Sequence, residues 1–245
     1  MAYVNSVEAA RTTTGANLSL NITSLAVPGN ILILEMGVNV GSVTFSVAGS
    51  TFSPIPSVSA MNVNSAQGSI TGNAFYRIAD GTETTITISG GGTRLYIARC
   101  RSYSGRNATP FAVTPVTTGP VGAASPPLAL SITGITPNSG DDLVLLLIGG
   151  QSDTTSDVWT FTQPSGWGNT FADQAPSIQF APNIFSCDLQ NVSNTATGTL
   201  TGTLTNSSLT TMGYGVYLIS LGSGALALMP FNQTQFFVTD TIVQF

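Results

Sequence analysis

Four of the six arginines in the chain fall within thirteen consecutive positions. They are Arg94, Arg99, Arg101 and Arg106. On a β-strand Arg99 and Arg101 would share one face, because side chains alternate along a strand. Such a cluster could contact an anionic partner, either carboxylates of another protein or an acidic glycan. The alternative is a polar strand end that faces solvent and pairs with Asp80 or Glu83.

One carboxylate, Glu35, lies inside the apolar run 31–36. A buried carboxylate at this position would need a partner such as an arginine. A catalytic role, as in a glycosidase, would need a second carboxylate at a defined distance. The sequence places no such second group, so we expect Glu35 at an edge or an interface.

Two pairs of aspartates lie in turns or loops and could offer oxygen ligands to Ca²⁺. Asp141 and Asp142 precede an apolar strand, and Asp153 and Asp157 lie in one loop. Their spacing does not match the calcium-loop pattern D-x-D-x-D-G. Local hydrogen bonding of the Asx-turn type explains them better.

The chain has 245 residues, of which 17 are charged, with six arginines, no lysine and no histidine. Lack of histidine excludes a Ser-His-Asp triad and imidazole metal ligands. Cys100 and Cys187 cannot form a zinc site by themselves. A net charge of −5 argues against nucleic acid as a partner. We therefore expect no enzyme activity, no metal and no cofactor.

Residue types and patterns predict an all-β protein. Strong helix formers are scarce, whereas Thr, Val and Ile favour the pleated sheet. Short alternating segments are separated by Gly, Pro, Asn and Ser, which is typical of an antiparallel sandwich or jelly roll. No run of 18 apolar residues is present, so we expect no membrane-spanning helix.

The chain also contains an internal repeat. The segment Leu18-Ser-Leu-Asn-Ile-Thr23 matches Leu128-Ala-Leu-Ser-Ile-Thr133, and each is followed by a turn and an apolar strand. Aligning those strands from their first residues places Glu35 opposite Leu147. The repeat predicts duplicated β-sandwich units at 17–108 and 128–222, as two tandem sandwiches or as two halves of one.

Three further segments complete the predicted organisation: an N-terminal segment (1–16), a linker rich in Pro, Gly and Thr (109–127), and an apolar C-terminal arm (223–245). An arm of this composition is expected to pair with its own sheet or with the open sheet edge of a neighbouring subunit. Its candidate contact residues are Phe231, Phe236, Phe237 and Phe245.

Several short sequence motifs in the two repeats resemble those of a known group of proteins. They are Phe75-Tyr-Arg-Ile-Ala-Asp-Gly81, Tyr103-Ser-Gly105 and Pro164-Ser-Gly-Trp167, each in the same order relative to apolar and Thr-rich strands. This arrangement resembles a loose group of β-rich structural proteins encoded by tailed bacteriophages. The resemblance covers roughly 17–222, and its motifs are structural rather than catalytic.

The resemblance implies a virion component, such as a capsid decoration or cement protein, a fibre or a tail-associated subunit. It would assemble in the host cytoplasm as a homo-oligomer and with other virion proteins. The low charge agrees with many copies packed together. The alternative is a carbohydrate- or receptor-binding module of a phage fibre that recognises a host glycan, for which aromatic residues such as Trp159, Trp167 and Tyr217 could supply stacking faces. A glycan hydrolase with paired carboxylates is the remaining alternative.

Overall fold

A computed structural model describes residues 2–10, 14–41, 44–65, 68–105, 109–150, 158–174, 182–207 and 211–224. These residues form seventeen β-strands and one short 3-10 helix, and the strands pair in antiparallel fashion. The predicted all-β class is thus confirmed.

The first repeat contains nine strands and the helix. The strands are β1 (Ala2–Ala10), β2 (Gly15–Asn21), β3 (Ile31–Val38), β4 (Ser46–Ala48), β5 (Ser53–Pro54), β6 (Met61–Ser65), β7 (Gly68–Ile78), β8 (Thr85–Arg94) and β9 (Tyr96–Ser104). The 3-10 helix is Thr23–Leu25.

The second repeat contains eight strands. They are β10 (Val116–Ala124), β11 (Leu128–Ile132), β12 (Asp142–Ile148), β13 (Trp159–Thr162), β14 (Gly168–Gln174), β15 (Asn183–Leu189), β16 (Leu200–Asn206) and β17 (Met212–Leu221).

Both repeats have the same topology. In the first, a large sheet with the order β1-β9-β3-β7-β6, in which β7 also pairs with the two-residue β5, packs on a three-stranded sheet with the order β2-β8-β4. In the second, the corresponding orders are β10-β17-β12-β15-β14 and β11-β16-β13. The two large sheets join where Met212 of β17 pairs with Ser65 of β6. The repeats are therefore two sandwiches, one of the two arrangements that the sequence left open.

The central strands β3 and β12 are buried along their whole length, which explains their continuous apolar sequences. One face of each strand packs into the core of its own sandwich; these side chains are Leu32, Leu34 and Met36 in β3, and Leu143, Leu145 and Leu147 in β12. The other face of each strand points to the opposite sandwich.

The two large sheets pack against each other through a third core, formed by both repeats. Ile31 and Ile33 of β3 lie there with Val144 and Leu146 of β12. The sheets come very close at Gly72, where an added Cβ would lie 2.0 Å from Cδ1 of Ile148. The molecule thus has four layers, with a small sheet on each outside.

Two details differ from the sequence predictions. The segment 109–127, predicted to be a linker, contains β10, because its Val and Thr residues pair with β17 despite the intervening Gly and Pro. The N-terminal segment 1–16 contains β1, which adds a strand to its own sheet by pairing with β9. The second difference is that Glu35 faces the opposite sandwich and Leu147 faces its own core, so the predicted alignment of these two residues is wrong. A shift of one residue reverses the face of every side chain on a strand.

Candidate functional site

Six charged side chains meet where the two sandwiches face each other. We call them the seam cluster: Glu8, Glu35, Arg99, Arg101, Asp173 and Asp188. The first four lie on β1, β3 and β9, and the two aspartates lie on β14 and β15. Strand alternation places them there, since Glu35 follows Ile31 and Ile33 on the same face of β3.

Arg99 connects three elements at one end of this cluster. Its Nε and Nη2 donate to the two carboxyl oxygens of Asp173, and Nη2 also donates to Oε2 of Glu8. Its Nη1 donates to Oγ of Ser6 at 2.7 Å. One guanidinium therefore ties the first strand of the chain to the second sandwich.

Arg101 lies deeper and pairs with a second aspartate. Its side chain and that of Asp188 are each 1% exposed, and Nη2 donates to Oδ2 of Asp188 at 2.8 Å. Asp188 also accepts from Nδ2 of Asn169 at 2.7 Å and from the Tyr103 hydroxyl at 3.4 Å. Within the described ranges, Nε and Nη1 of Arg101 have no hydrogen-bond partner. The carboxylate of Asp188 therefore has several hydrogen-bond donors, whereas two nitrogens of the Arg101 guanidinium have no acceptor.

Aromatic rings fill the space around the two guanidinium groups. The Phe171 ring centroid lies 4.1 Å from Cζ of Arg99 and 5.2 Å from Cζ of Arg101. The rings of Tyr3 and Tyr103 lie 5.2 and 5.5 Å from Cζ of Arg101. Cation–π attraction to these faces partly replaces the hydration that both arginines lose on burial.

Glu35 is a fully buried carboxyl group in this cluster. It is 1% exposed, and neither of its carboxyl oxygens makes a well-formed hydrogen bond among the described residues, although the backbone N–H of Leu147 lies nearby. Burial raises its pKa well above the ordinary value, and the nearby Asp173 carboxylate adds to the rise, whereas Arg101 and Arg99 oppose it. Glu35 is therefore held toward its neutral form, at the interface position expected from the sequence.

At the outer end of the cluster, a pocket of about 240 Å³ opens between β1, β9 and β14, and Glu8 and Asp173 line it. Two-carboxylate glycoside hydrolysis needs carboxyl groups about 5 Å or more apart, with the sugar between them. The carboxyl groups of Glu8 and Asp173 instead both accept from the same nitrogen of Arg99. What this arrangement can do is join the two sandwiches.

The arginines that the sequence offered as partner contacts differ in burial and in the groups that they bind. Arg99 and Arg101 share one strand face, as expected, but they pair inside the chain, so neither their solvent-facing alternative nor an outside partner fits them. Arg77, rather than these two, pairs with Asp80 and Glu83. Arg94 is half-buried on β8, and its Nη1 donates to the carbonyl of Thr93. The remaining candidates lie outside the described residues: Arg106, Phe231, Phe236, Phe237 and Phe245.

Sequence reasoning missed the carboxyl partners of Arg99 and Arg101. A usable signal was present in the segment Asn183-Ile-Phe-Ser-Cys-Asp188, where a single charged residue lies in a strand that otherwise carries no charge. Two arginines on a strand that is buried on both faces need buried carboxylates, and such strand aspartates are the natural candidates.

Asp141, in the turn before β12, and Asp142, the first residue of β12, serve the fold. They do so mainly through partners far along the chain, and not through the local Asx-type bonds predicted from the sequence. Asp141 accepts from the backbone N–H of Asn138 at 3.0 Å and from the hydroxyl of Ser220 at 2.7 Å. Asp142 accepts from the backbone N–H of Asn191 at 2.9 Å. Asp153 and Asp157 lie outside the described residues. In the described part of the chain, no group of three or more His, Cys, Asp or Glu residues is placed to hold a metal ion.

A second concave region lies on the outside of the second sandwich. It is a pocket of about 410 Å³ whose lining includes Trp167, Gln190, Asn191 and Ser193. Trp167 is 6% exposed and Trp159 is 3% exposed, so both indole rings belong mainly to the core. The pocket therefore offers amide and hydroxyl groups but little aromatic face.

The comparisons with known proteins add no relative. No protein-family model matches the chain, and no curated protein or solved structure is significantly similar to it. In the described residues no helix has the length and apolar character to cross a membrane.

Proposed function

We propose that this chain is a non-enzymatic structural subunit of a bacteriophage virion, which acts by assembling with copies of itself and with other virion proteins. The use of its charged side chains carries the proposal. All eight carboxyl groups in the described residues are buried or bonded to groups of the same chain: Glu8, Glu35, Asp80, Glu83, Asp141, Asp142, Asp173 and Asp188. Carboxyl groups that are buried or bonded within the fold are poorly placed to transfer a proton to a substrate or to bind a metal ion.

The outer faces of the small sheets support an assembly role. Their outward side chains are mostly uncharged hydroxyl groups, among them Ser19, Thr85, Thr87, Ser131, Thr160, Thr201 and Thr203. Strands β2 and β4 are the edges of one small sheet, and β11 and β13 are the edges of the other. Open sheet edges can bind another chain by strand addition, and an uncharged face limits repulsion between copies.

The resemblance to tailed-phage structural proteins supports the virion assignment in particular. The sequence motifs that carry this resemblance lie on or beside strands of the sandwiches: Phe75 is on β7, Tyr103 is on β9, and Trp167 precedes β14. Tyr103 and Trp167 are both buried. These residues therefore serve architecture, which is what a structural subunit would share with its relatives.

The first test measures oligomeric state. The fold still holds Ser223 and Gly224, whose backbone N–H groups donate to Asp141 and to the carbonyl of Gly105. A chain ending at Gly224 should keep its strand-rich circular dichroism spectrum but change from oligomer to monomer in analytical ultracentrifugation. A second variant keeps the full length and replaces the four candidate contact residues of the arm by serine: Phe231, Phe236, Phe237 and Phe245. An oligomer unchanged in both variants would remove the arm from the proposal.

The second test locates the protein. Peptides of this chain should be found by mass spectrometry in purified virions, and separated heads and tails should show in which part it lies. A full-length protein that is monomeric in solution and missing from intact particles would overturn the proposal.

A glycan-binding module is the second candidate, and the pocket beside Trp167 favours it. Amide and hydroxyl side chains such as Gln190 and Asn191 are suitable partners for sugar hydroxyl groups. A glycan array should then show binding that Asn191→Ala weakens while Thr160→Ala, on the outer face of β13, leaves it unchanged. Lack of binding across the array would exclude this candidate.

A further inference from the structure

Two carboxyl groups share one guanidinium nitrogen at the outer end of the seam cluster. Nη2 of Arg99 donates both to Oε2 of Glu8 and to Oδ1 of Asp173. The two carboxyl groups are therefore close enough to share a hydrogen bond. Such a bond needs a proton on one of them, because two ionised carboxylates offer only acceptors.

The seam cluster contains more carboxyl groups than arginines. Four carboxyl groups face the two guanidinium groups of Arg99 and Arg101. Full ionisation would leave an excess of two negative charges between the sandwiches, and this is costly away from water. Burial favours the neutral form of Glu35, which would remove one of these charges, and a proton held by Glu8 beside Asp173 would remove the other.

Solvent reaches this pair from one side. The Asp173 side chain is 4% exposed, whereas the Glu8 side chain is 59% exposed and lines the pocket between β1 and β14. A proton can therefore be exchanged with bulk water without unfolding of the core.

We propose that the Glu8–Asp173 carboxyl pair is a proton-operated latch that holds β1, the edge strand of the first large sheet, against β14 of the second sandwich. One shared proton closes the latch. Its loss leaves two carboxylates on a single arginine, and their repulsion loosens β1. Loosening of β1 would open the edge of β9 to another strand. The inference does not depend on the virion assignment.

The titration range follows from the groups around Glu8. The hydrogen bond with Asp173, then burial and the charge of Asp173, raise the pKa of Glu8 to about 7, and Arg99 opposes the rise. Behind them lie Arg101 on β9 and Glu35 on β3, while β2 and the 3-10 helix, which also pack on β1, carry no titratable side chain. Because the folded pKa is raised, the latch is closed at acidic pH and is lost as the pH rises through about 7.

Hydrogen–deuterium exchange tests the latch in the full-length protein. Exchange should be followed from pH 5.5 to 8.5, after correction for the intrinsic pH dependence of amide exchange. The protection of residues 2–10 should fall about tenfold across neutral pH, which is less than the full pKa shift would give because Glu8 is partly screened by solvent. Residues 142–148 of β12 should stay protected throughout.

Variants separate the latch from general loosening. In Glu8→Gln the amide can donate to Asp173 at every pH, so protection of β1 should no longer depend on pH. The control Asp80→Asn, which removes a carboxyl group from Arg77 elsewhere, should keep the wild-type pH dependence. A direct carbon-13 NMR titration of Glu8 should give a midpoint near 7. A midpoint near 4.5, or equal pH dependence in Glu8→Gln and wild type, would overturn the proposal.

Discussion

Breaking the buried pair Arg101–Asp188 should be much more costly than removing both of its members. Arg101→Met leaves a carboxylate that is 1% exposed without its cation, and Asp188→Asn leaves a buried guanidinium without its anion. Loss of one partner of a buried ion pair typically costs about 3–5 kcal/mol. Total stabilities of domains are about 5–15 kcal/mol, so each single variant should lose a large part of the free energy of unfolding.

The double variant should recover much of this loss. In the wild type, Nε and Nη1 of Arg101 have no hydrogen-bond partner among the described residues, so the pair offsets its own desolvation incompletely. In Arg101→Met with Asp188→Asn both charges are gone, and the new amide can still accept from Asn169. We expect a coupling energy of about 2–4 kcal/mol between the two substitutions.

Urea unfolding of the four proteins forms the assay. Fluorescence of Trp159 and Trp167 reports on the second sandwich, and far-ultraviolet circular dichroism reports on all strands. The control is Arg94→Met, at a half-buried arginine that bonds the neighbouring carbonyl, and it should change stability by less than about 0.5 kcal/mol. Single variants that are as stable as the control, or a double variant that loses the sum of the two single losses, would contradict this coupling between Arg101 and Asp188.

Three further predictions concern the interiors of the sandwiches and their common face. Glu35→Gln should flatten the pH dependence of stability, because the raised pKa of Glu35 makes the wild type lose stability as the pH rises above about 4.5. The urea midpoints of variant and wild type should therefore diverge between pH 4 and 8. Midpoints that change in parallel over this range would contradict the prediction. Gly72→Ala should lower the free energy of unfolding by about 1–3 kcal/mol, because the new methyl group meets Ile148. Gly122→Ala, whose Cβ would lie in open space, should change it little. Equal thermal midpoints of the two variants would contradict the packing of the two large sheets at Gly72. Cys100 and Cys187 are buried, and burial raises the pKa of both thiols. A thiol reagent should therefore react with them only after unfolding. Reaction in the native protein would contradict the burial of these two side chains.

The sequence alone determined the all-β class and the duplication. Both depend on local information: β-branched residues, alternation with a period of two, and punctuation by Gly, Pro and Asn act within each segment. For the same reason, the shared face of Arg99 and Arg101 was predictable, since alternation fixes it. The repeat phrase around Leu18 and Leu128 predicted two equivalent strands, and β2 and β11 occupy corresponding places in their sandwiches.

Only the tertiary structure decided which groups meet. Asp173 and Asp188 lie 74 and 87 positions along the chain from the arginines that they bind, and local patterns carry no information about such pairings. The face on which Glu35 lies depends on a one-residue register, which an alignment of apolar residues cannot resolve because β3 and β12 are buried on both faces. The seam cluster becomes an internal contact between the sandwiches only when one sandwich packs on the other. This packing buries side chains that each sandwich alone would leave exposed to water.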